Sequence, residues 1–199
     1  MTKLIPFASL VPVPWKNGAG NVTDIAAGPL GAQAHAFDWR ISLASITQDS
    51  PFSLFPGVDR TLALVEGQGM VLDVDDGSRF VLGAPGEDDS VIEFDGESAI
   101  RATLNGGATL DFNVMTRRAL CRHKLGRRRL SGTSQFSARG SHSLLFLAEG
   151  ESLSVSSELE RIGMVRFDTI MFDSEALWTL EAADATIFIV DIVFHVEAP

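Results

Sequence analysis

The chain has 199 residues, enough for one large domain or two small ones, and its 45% hydrophobic and 21% charged content is that of a globular protein. A net charge of −10 argues against broad binding to nucleic acid or anionic membrane. No apolar run approaches the roughly 20 residues that span a bilayer, the N-terminal stretch is broken by Pro6, Pro12 and Pro14 where a signal peptide would be continuous, and a single cysteine, Cys121, excludes an internal disulfide and fits a cytoplasmic protein.

The first chemical feature along the chain is "WKNGAGNVTDIA", which begins at Trp15. It is no P-loop, because Lys16 precedes the glycines and no helix is signalled after them. A dinucleotide fingerprint needs a third glycine and a preceding strand, and Val11 to Pro14 is proline-broken. Asn17-Gly18 is a turn dipeptide, since both residue types tolerate positive φ. The stretch therefore reads as a tight turn that would carry Trp15, Lys16 and Asn17 to the mouth of a β structure, where loops build ligand sites.

Strand periodicity follows nearly everywhere. In "FDWRISLASI", Phe37, Trp39, Ile41 and Leu43 point one way and Asp38, Arg40, Ser42 and Ala44 the other. "RTLALVEG" alternates Arg60, Leu62 and Leu64 with Thr61, Ala63 and Val65, then turns at Glu66-Gly67. "MVLDVDDGSRFVL" predicts a hairpin with Asp76-Gly77 as a two-residue turn. "DFNVMTRR" and "FIVDIVFHVE" are further strands, with Asp111, Asn113 and Met115 sharing one face of the former. There is no long amphipathic helix. Many short strands with frequent turns predict an all-β sandwich or barrel.

The chain also repeats itself. "LALVEGQGMVLDVDD" resembles "LLFLAEGESLSVSSE", and Gly67, Asp95 and Thr109 match Gly150, Asp173 and Thr186 at offsets of 83, 78 and 77 residues. A nearly constant offset with a few deletions is what a duplicated β unit leaves. Two similar β-barrels are expected, divided near residues 118–130, with boundaries at 1–118 and 119–199. The first 57 residues have no counterpart before the second copy and should add strands and a loop.

Familiar catalytic constellations are missing from the sequence. The four histidines, His35, His123, His142 and His195, are mutually more than five residues apart, so no local metal-ligand pair exists and no metal or other cofactor is expected. Cys121 lies in the basic segment "RRALCRHKLGRRR", which could lower its pKa, but no histidine-base arrangement accompanies it. "RGSHS", from Arg139, is not a nucleophile elbow. The pairs Asp75-Asp76 and Asp88-Asp89 sit with Gly and Ser and read as turns. The basic segment itself, Arg117 to Arg129, holds seven of the sixteen Lys and Arg residues. Without interleaved aromatics for base stacking, it reads as a solvated strand edge that blunts pairing with charge.

Arg40 and Arg60 stand out differently. Arg40 is mid-strand on the face opposite Phe37, Trp39, Ile41 and Leu43. If that apolar set packs between sheets, Arg40 and Ser42 face a lumen. A guanidinium there needs an anionic partner, and a carboxylate ligand would suit.

Taken together, "WKNGAGNVTDI", "FDWRISLASI", "PFSLFPGVDRTLALVEG" and "DFNVMTRR", in this order and over nearly the whole chain, resemble the HutD/Ves family of bicupins. The family's glycine run is interrupted here by Ala19, and its usual threonine and glutamate fall on Val22 and Asp24. The resemblance implies two tandem cupin barrels of jelly-roll type, agreeing with the repeat. It implies a protein that accompanies histidine-degrading enzymes, binds an intermediate such as urocanate or formylglutamate, and moderates the pathway without a catalytic residue of its own. The expected ligand-binding set in the first barrel is Trp15, Lys16, Asn17, Arg40, Ser42, Phe55, Arg60 and Asn113. The second barrel is left with structural support or a share of a homodimer interface. The rival readings are a metal-free cupin isomerase, a Ves-like stress-associated protein, and a nucleic-acid-binding regulator using Arg117 to Arg129.

Overall fold

Alternating runs become β-strands, and the sole helical element among the described residues is a turn of 3-10 helix at Phe7–Ser9. The structure, a computed structural model, describes residues 2–29, 36–87, 89–139, 141–172 and 175–195. His35, Asp88 and Asp173 lie outside the described residues. The chain divides into two compact units. Val11–Cys121 form one, and Met1–Leu10 with Arg122–Pro199 form the other, so β1 (Lys3–Ile5) belongs with the C-terminal half.

In the Val11–Cys121 unit the strands are β2 (Val13–Pro14), β3 (Gly20–Gly28), β4 (Trp39–Ile46), β5 (Ser50–Pro51), β6 (Val58–Glu66), β7 (Met70–Val74), β8 (Arg79–Leu82), β9 (Val91–Asp95), β10 (Ile100–Leu104) and β11 (Thr109–Arg117). They make an antiparallel six-stranded sheet, β2-β3-β4-β11-β6-β9, and a four-stranded one, β5-β10-β7-β8. Ile46, Leu62 and Leu64 of the first sheet meet Met70, Leu72, Ile100 and Ala102 of the second in one buried cluster. Each such Leu or Ile contributes roughly 1.5–3 kcal/mol by leaving water. On β4, Trp39, Ile41 and Leu43 are buried on one face and Arg40, Ser42 and Ala44 on the other. Both faces of this central strand are thus covered, and its polar face is turned inward.

The β7–β8 hairpin forms where "VDDGS" predicts a turn, but with a different geometry. Gly77 N–H donates to the Val74 carbonyl and Val74 N–H to the Ser78 carbonyl, at 3.0 and 2.9 Å. Gly77 has φ +88°, while Asp76 is not among the positive-φ residues. A two-residue turn of type I′ needs positive φ at both centres. Here Asp75 and Asp76 are central, and Gly77 alone takes the left-handed position after them.

The other unit comprises β1 with β12 (Cys121–Ser137), β13 (His142–Glu149), β14 (Ser152–Ser156), β15 (Arg161–Val165), β16 (Thr169–Phe172) and β17 (Leu177–Phe194). Their sheet runs β1-β16-β13-β17-β14-β15, with β12 also on β17. The long β17 pairs with β14 through Thr179–Glu181 and with β13 through Thr186–Ile192. Leu145, Leu147, Val155, Ile170, Phe172, Trp178, Leu180 and Ile187 belong to one apolar core.

The repeat is visible at one local geometry. Gly67 follows β6 with φ +112°, and Gly150 follows β13 with φ +106°. A Cβ on Gly67 would come 3.0 Å from the Ala108 carbonyl oxygen, and one on Gly150 would come 2.6 Å from that of Asp184. Each lies beside a register shift in the neighbouring pairing, at Leu110/Asp111 and at Leu147/Glu149.

Candidate functional site

The strand register sets out a polar face. Across β4, β11 and β6, Arg40, Met115 and Arg60 stand in one row. Ser42, Asn113 and Leu62 stand in the next, and Ala44, Asp111 and Leu64 in a third. Antiparallel partners point to the same side of the sheet, so these side chains share one surface. A cavity of about 480 Å³ opens over the first two rows. Trp15, Lys16 and Asn17 form its rim on one side, and Phe52, Ser53 and Phe55 bound it on another. All eight residues expected from the sequence line this one cavity: Trp15, Lys16, Asn17, Arg40, Ser42, Phe55, Arg60 and Asn113.

The rim is the hairpin turn between β2 and β3. Gly18 N–H donates to the Trp15 carbonyl at 3.0 Å, Trp15 N–H donates to the Gly20 carbonyl at 2.9 Å, and Gly18 takes φ +71°. Asn17 Oδ1 accepts from Ala19 N–H at 3.0 Å, so this acceptor holds the turn. Trp15 leans on the apolar cluster beneath, and Lys16 is exposed. "WKNGAGN" is thus a turn at a cavity mouth. Pro14 does not prevent pairing, because β2 is an edge strand, where a missing N–H is tolerated.

Arg60 is 6% exposed. Its guanidinium carbon lies 4.8 Å from the Phe94 ring centre and 5.5 Å from those of Phe52 and Phe55. One terminal nitrogen donates to the Ser53 carbonyl at 3.3 Å, while Nε is buried with no partner. Burial, and then the neighbouring Arg40 charge, push its pKa down to about 9, so it is still a cation at neutral pH. Among the described residues no carboxylate forms an ion pair with it. Three ring faces provide cation–π attraction, which replaces only part of the lost hydration.

Arg40 differs. Its Nε donates to Asp24 Oδ1 at 2.7 Å, and its Nη2 also approaches that oxygen. A register shift between Asp24 and Ala26 accompanies this pairing of β3 with β4. In the second row Ser42 is buried, and Asn113 keeps a buried Oδ1 without a partner. Deeper still, Asp111 is fully buried and accepts from Thr109 Oγ at 3.0 Å. Its other oxygen has no partner, and burial pushes its pKa up to about 8.

Phe52, Phe94, Asp24, Ser53 and Asp111 were not among the residues expected. Phe94 pairs with Arg60 across β6 and β9, a relation that needs the register between strands more than thirty residues apart. Asp24 pairs with Ser42 and so is diagonal to Arg40 on the same face of β3 and β4, a relation that again needs the register. "PFSLF" carried a usable signal for Phe52, since it holds two aromatics just ahead of Arg60.

At the 83-residue offset of the sequence repeat, Arg60, Leu62 and Leu64 align with Ser143, Leu145 and Leu147. The pairing partners of Leu62 and Leu64 are Asn113 and Asp111, whereas those of Leu145 and Leu147 are Ile189 and Ile187. Ser143 bonds Asp191 within its own pair.

Among the described residues no three His, Cys, Asp or Glu side chains come together to hold a metal ion. In the basic segment, Arg118 bonds Asp59, Asp95 and Glu97 at 2.6, 3.0 and 3.0 Å, and Arg129 bonds Asp184. Cys121 departs from expectation. It is buried, its Sγ lies 3.4 Å from the Asp38 carbonyl, and burial pushes its thiol up to about 11 where basic neighbours were expected to lower it.

The HutD family model matches residues 8–189. The chain belongs to the HutD family. It is 34% identical, over 76% of its length and 77% of the relative's, to an uncharacterised 21.2 kDa protein in the hutC 3′ region of Pseudomonas putida. It is 38% identical to protein Ves of Citrobacter koseri over 56% of each chain, so that match spans about half of the Ves protein. Among solved structures, a conserved protein of unknown function from Pseudomonas aeruginosa PAO1 superimposes with a TM-score of 0.87 at 28% identity, covering 97% of this chain and 99% of that one. HutD from Pseudomonas fluorescens SBW25 gives 0.81 at 22%, covering 98% and 100%. Salicylate 1,2-dioxygenase from Pseudoaminobacter salicylatoxidans gives 0.65 at 10%, covering 100% and 86%. At these lower identities the likeness shows the fold alone, and that fold is the all-β cupin fold expected for a HutD-family chain.

Proposed function

We propose that this HutD-family chain binds a small carboxylate metabolite of the urocanate or formylglutamate kind, without transforming it, and thereby moderates histidine utilisation. The pathway reading draws on the family and on the relative in the hutC 3′ region. The binding reading rests on one observation. Arg60 is a buried cation in an aromatic-walled cavity, with no carboxylate partner among the described residues and an unpartnered Nε. A carboxylate placed there would gain charge-assisted hydrogen bonds in a partly dry site. The site belongs to the first of two tandem barrels, with the division near residue 118, in a cytoplasmic protein whose second barrel gives structural support or a share of a homodimer interface.

Calorimetric titration with urocanate and with N-formylglutamate tests this reading, and absence of heat with both would end it. A second reading, metal-free isomerisation, is favoured by Asp111. Burial pushes this carboxyl's pKa up to about 8, within the range of a proton-transferring group, and it stands on the cavity's sheet face one row below the lining residues Ser42 and Asn113. Conversion of urocanate to an isomer separable by chromatography on incubation with the protein would favour it over simple binding.

A further inference from the structure

Arg40 and Arg60 occupy the same row, one on each side of Met115, on a face that encloses a cavity. Two neighbouring strand spacings separate their backbones, roughly 10 Å. Two guanidiniums that close, in a site with aromatic walls, would form a strongly positive pocket suited to a doubly charged anion. That is not the pocket this chain builds. Asp24 Oδ1 takes both Nε and Nη2 of Arg40, and the Asp24 side chain is 54% exposed where that of Arg40 is 8%. The Arg40 cation is therefore buried in the cavity wall, and its counter-charge is the exposed Asp24, which is not itself a lining residue. Lys16 adds a positive charge at the mouth, but it is exposed, where ion pairs contribute little.

We propose that Asp24 fixes the charge of this cavity. By neutralising Arg40 it leaves Arg60 as the one uncompensated guanidinium, so that the site accepts a flat monocarboxylate and discriminates against dicarboxylates. This rests on the carboxylate-binding reading of the same cavity and narrows it, of its two ligand kinds, to the urocanate kind. The shape of the walls agrees with it. Phe52, Phe55 and Phe94 surround the Arg60 guanidinium, and Phe52 and Phe55 also line the cavity, which gives a planar acid apolar rings to lie against. A second carboxylate on the ligand would find Arg40 already paired with Asp24 instead of a free cation, and an unpaired charge in a partly desolvated site is costly.

The probes are N-formylglutamate and N-formylglutamine, which differ by one negative charge, with urocanate as a planar monoanion. Titration calorimetry on the full chain gives the ratio of their dissociation constants. The parent protein should bind both monoanions more tightly than the dianion. Asp24→Asn keeps the side-chain shape and should improve the dianion by about tenfold relative to the monoanions. Arg40→Gln leaves Asp24 uncompensated and should shift the ratio the other way, and melting temperatures confirm that each variant is folded. A ratio unchanged in both folded variants overturns the role of Asp24 while leaving carboxylate binding intact. No binding of any probe by the parent overturns the carboxylate reading itself, and this inference with it.

Discussion

Arg40 and Arg60 face the same cavity from opposite sides of Met115, and of the two only Arg40 has a carboxylate partner among the described residues. The difference arises outside the row that they share. The register shift in β3 accompanies the approach of Asp24 to Arg40, whereas β9 places Phe94 opposite Arg60. One arginine is built into the wall as an ion pair, and the other is held among rings with a free hydrogen-bonding edge.

Gly67 and Gly150, which follow β6 and β13, should be equally intolerant of a side chain. Gly67→Ala and Gly150→Ala each add a Cβ at positive φ against backbone atoms of the neighbouring strand. Each should cost more than about 1 kcal/mol. Gly77 also has positive φ, but a Cβ there meets nothing within 4 Å, so Gly77→Asn should cost much less. Chemical denaturation of the three variants checks this, and equal losses at all three would contradict the role of the close backbone contacts at Gly67 and Gly150.

Asp111 predicts a pH dependence. The folded state keeps its proton up to about pH 8, whereas an unfolded aspartate loses it near 3.9. Between these values the folded state binds more protons, so this group's contribution to stability falls as pH rises and is lost by about pH 8. Asp111→Asn removes that slope. Its melting temperature relative to the parent should climb from about pH 4 to about pH 9. A constant difference across that range would show that Asp111 is ionised in the fold.

The face assignments behind the site were legible in the sequence wherever a strand alternates cleanly. "FDWRIS" put Arg40 and Ser42 together, and "DFNVM" put Asn113 with Met115. Both pairs do share faces, because period-two patterning survives folding. What could not be read was anything requiring register between distant strands: Phe94 opposite Arg60, or the approach of Asp24 to Arg40 beside an irregularity. Asp76-Gly77 marked the right hairpin but suggested the wrong turn, since Gly77 is as well suited to follow a turn as to sit within it. The basic segment gave no hint that Cys121 would be buried, because burial at a strand end is decided by partners far along the chain.

That burial has a chemical consequence. With its pKa raised to about 11 and the residue fully covered, the Cys121 thiol is almost wholly protonated at neutral pH. The thiolate is the reacting species, so a disulfide reagent should label the native protein very slowly at about pH 8 and the denatured protein at once. Rapid native labelling would place Cys121 on an accessible surface.

The central claim is that Arg60 anchors a carboxylate. A charge-assisted hydrogen bond contributes about 1.5–3 kcal/mol, and about 1.4 kcal/mol corresponds to tenfold in affinity. Titration calorimetry with urocanate on the parent, Arg60→Ala and Arg128→Ala tests this most directly. Arg128 lies in the basic segment and donates to the Gln135 carbonyl at 3.0 Å, so its loss should leave affinity unchanged. Arg60→Ala should weaken binding roughly ten- to a hundredfold or more. If Arg60→Ala binds as the parent does while Arg128→Ala loses binding, the ligand sits on the basic segment and the account of the cavity is wrong.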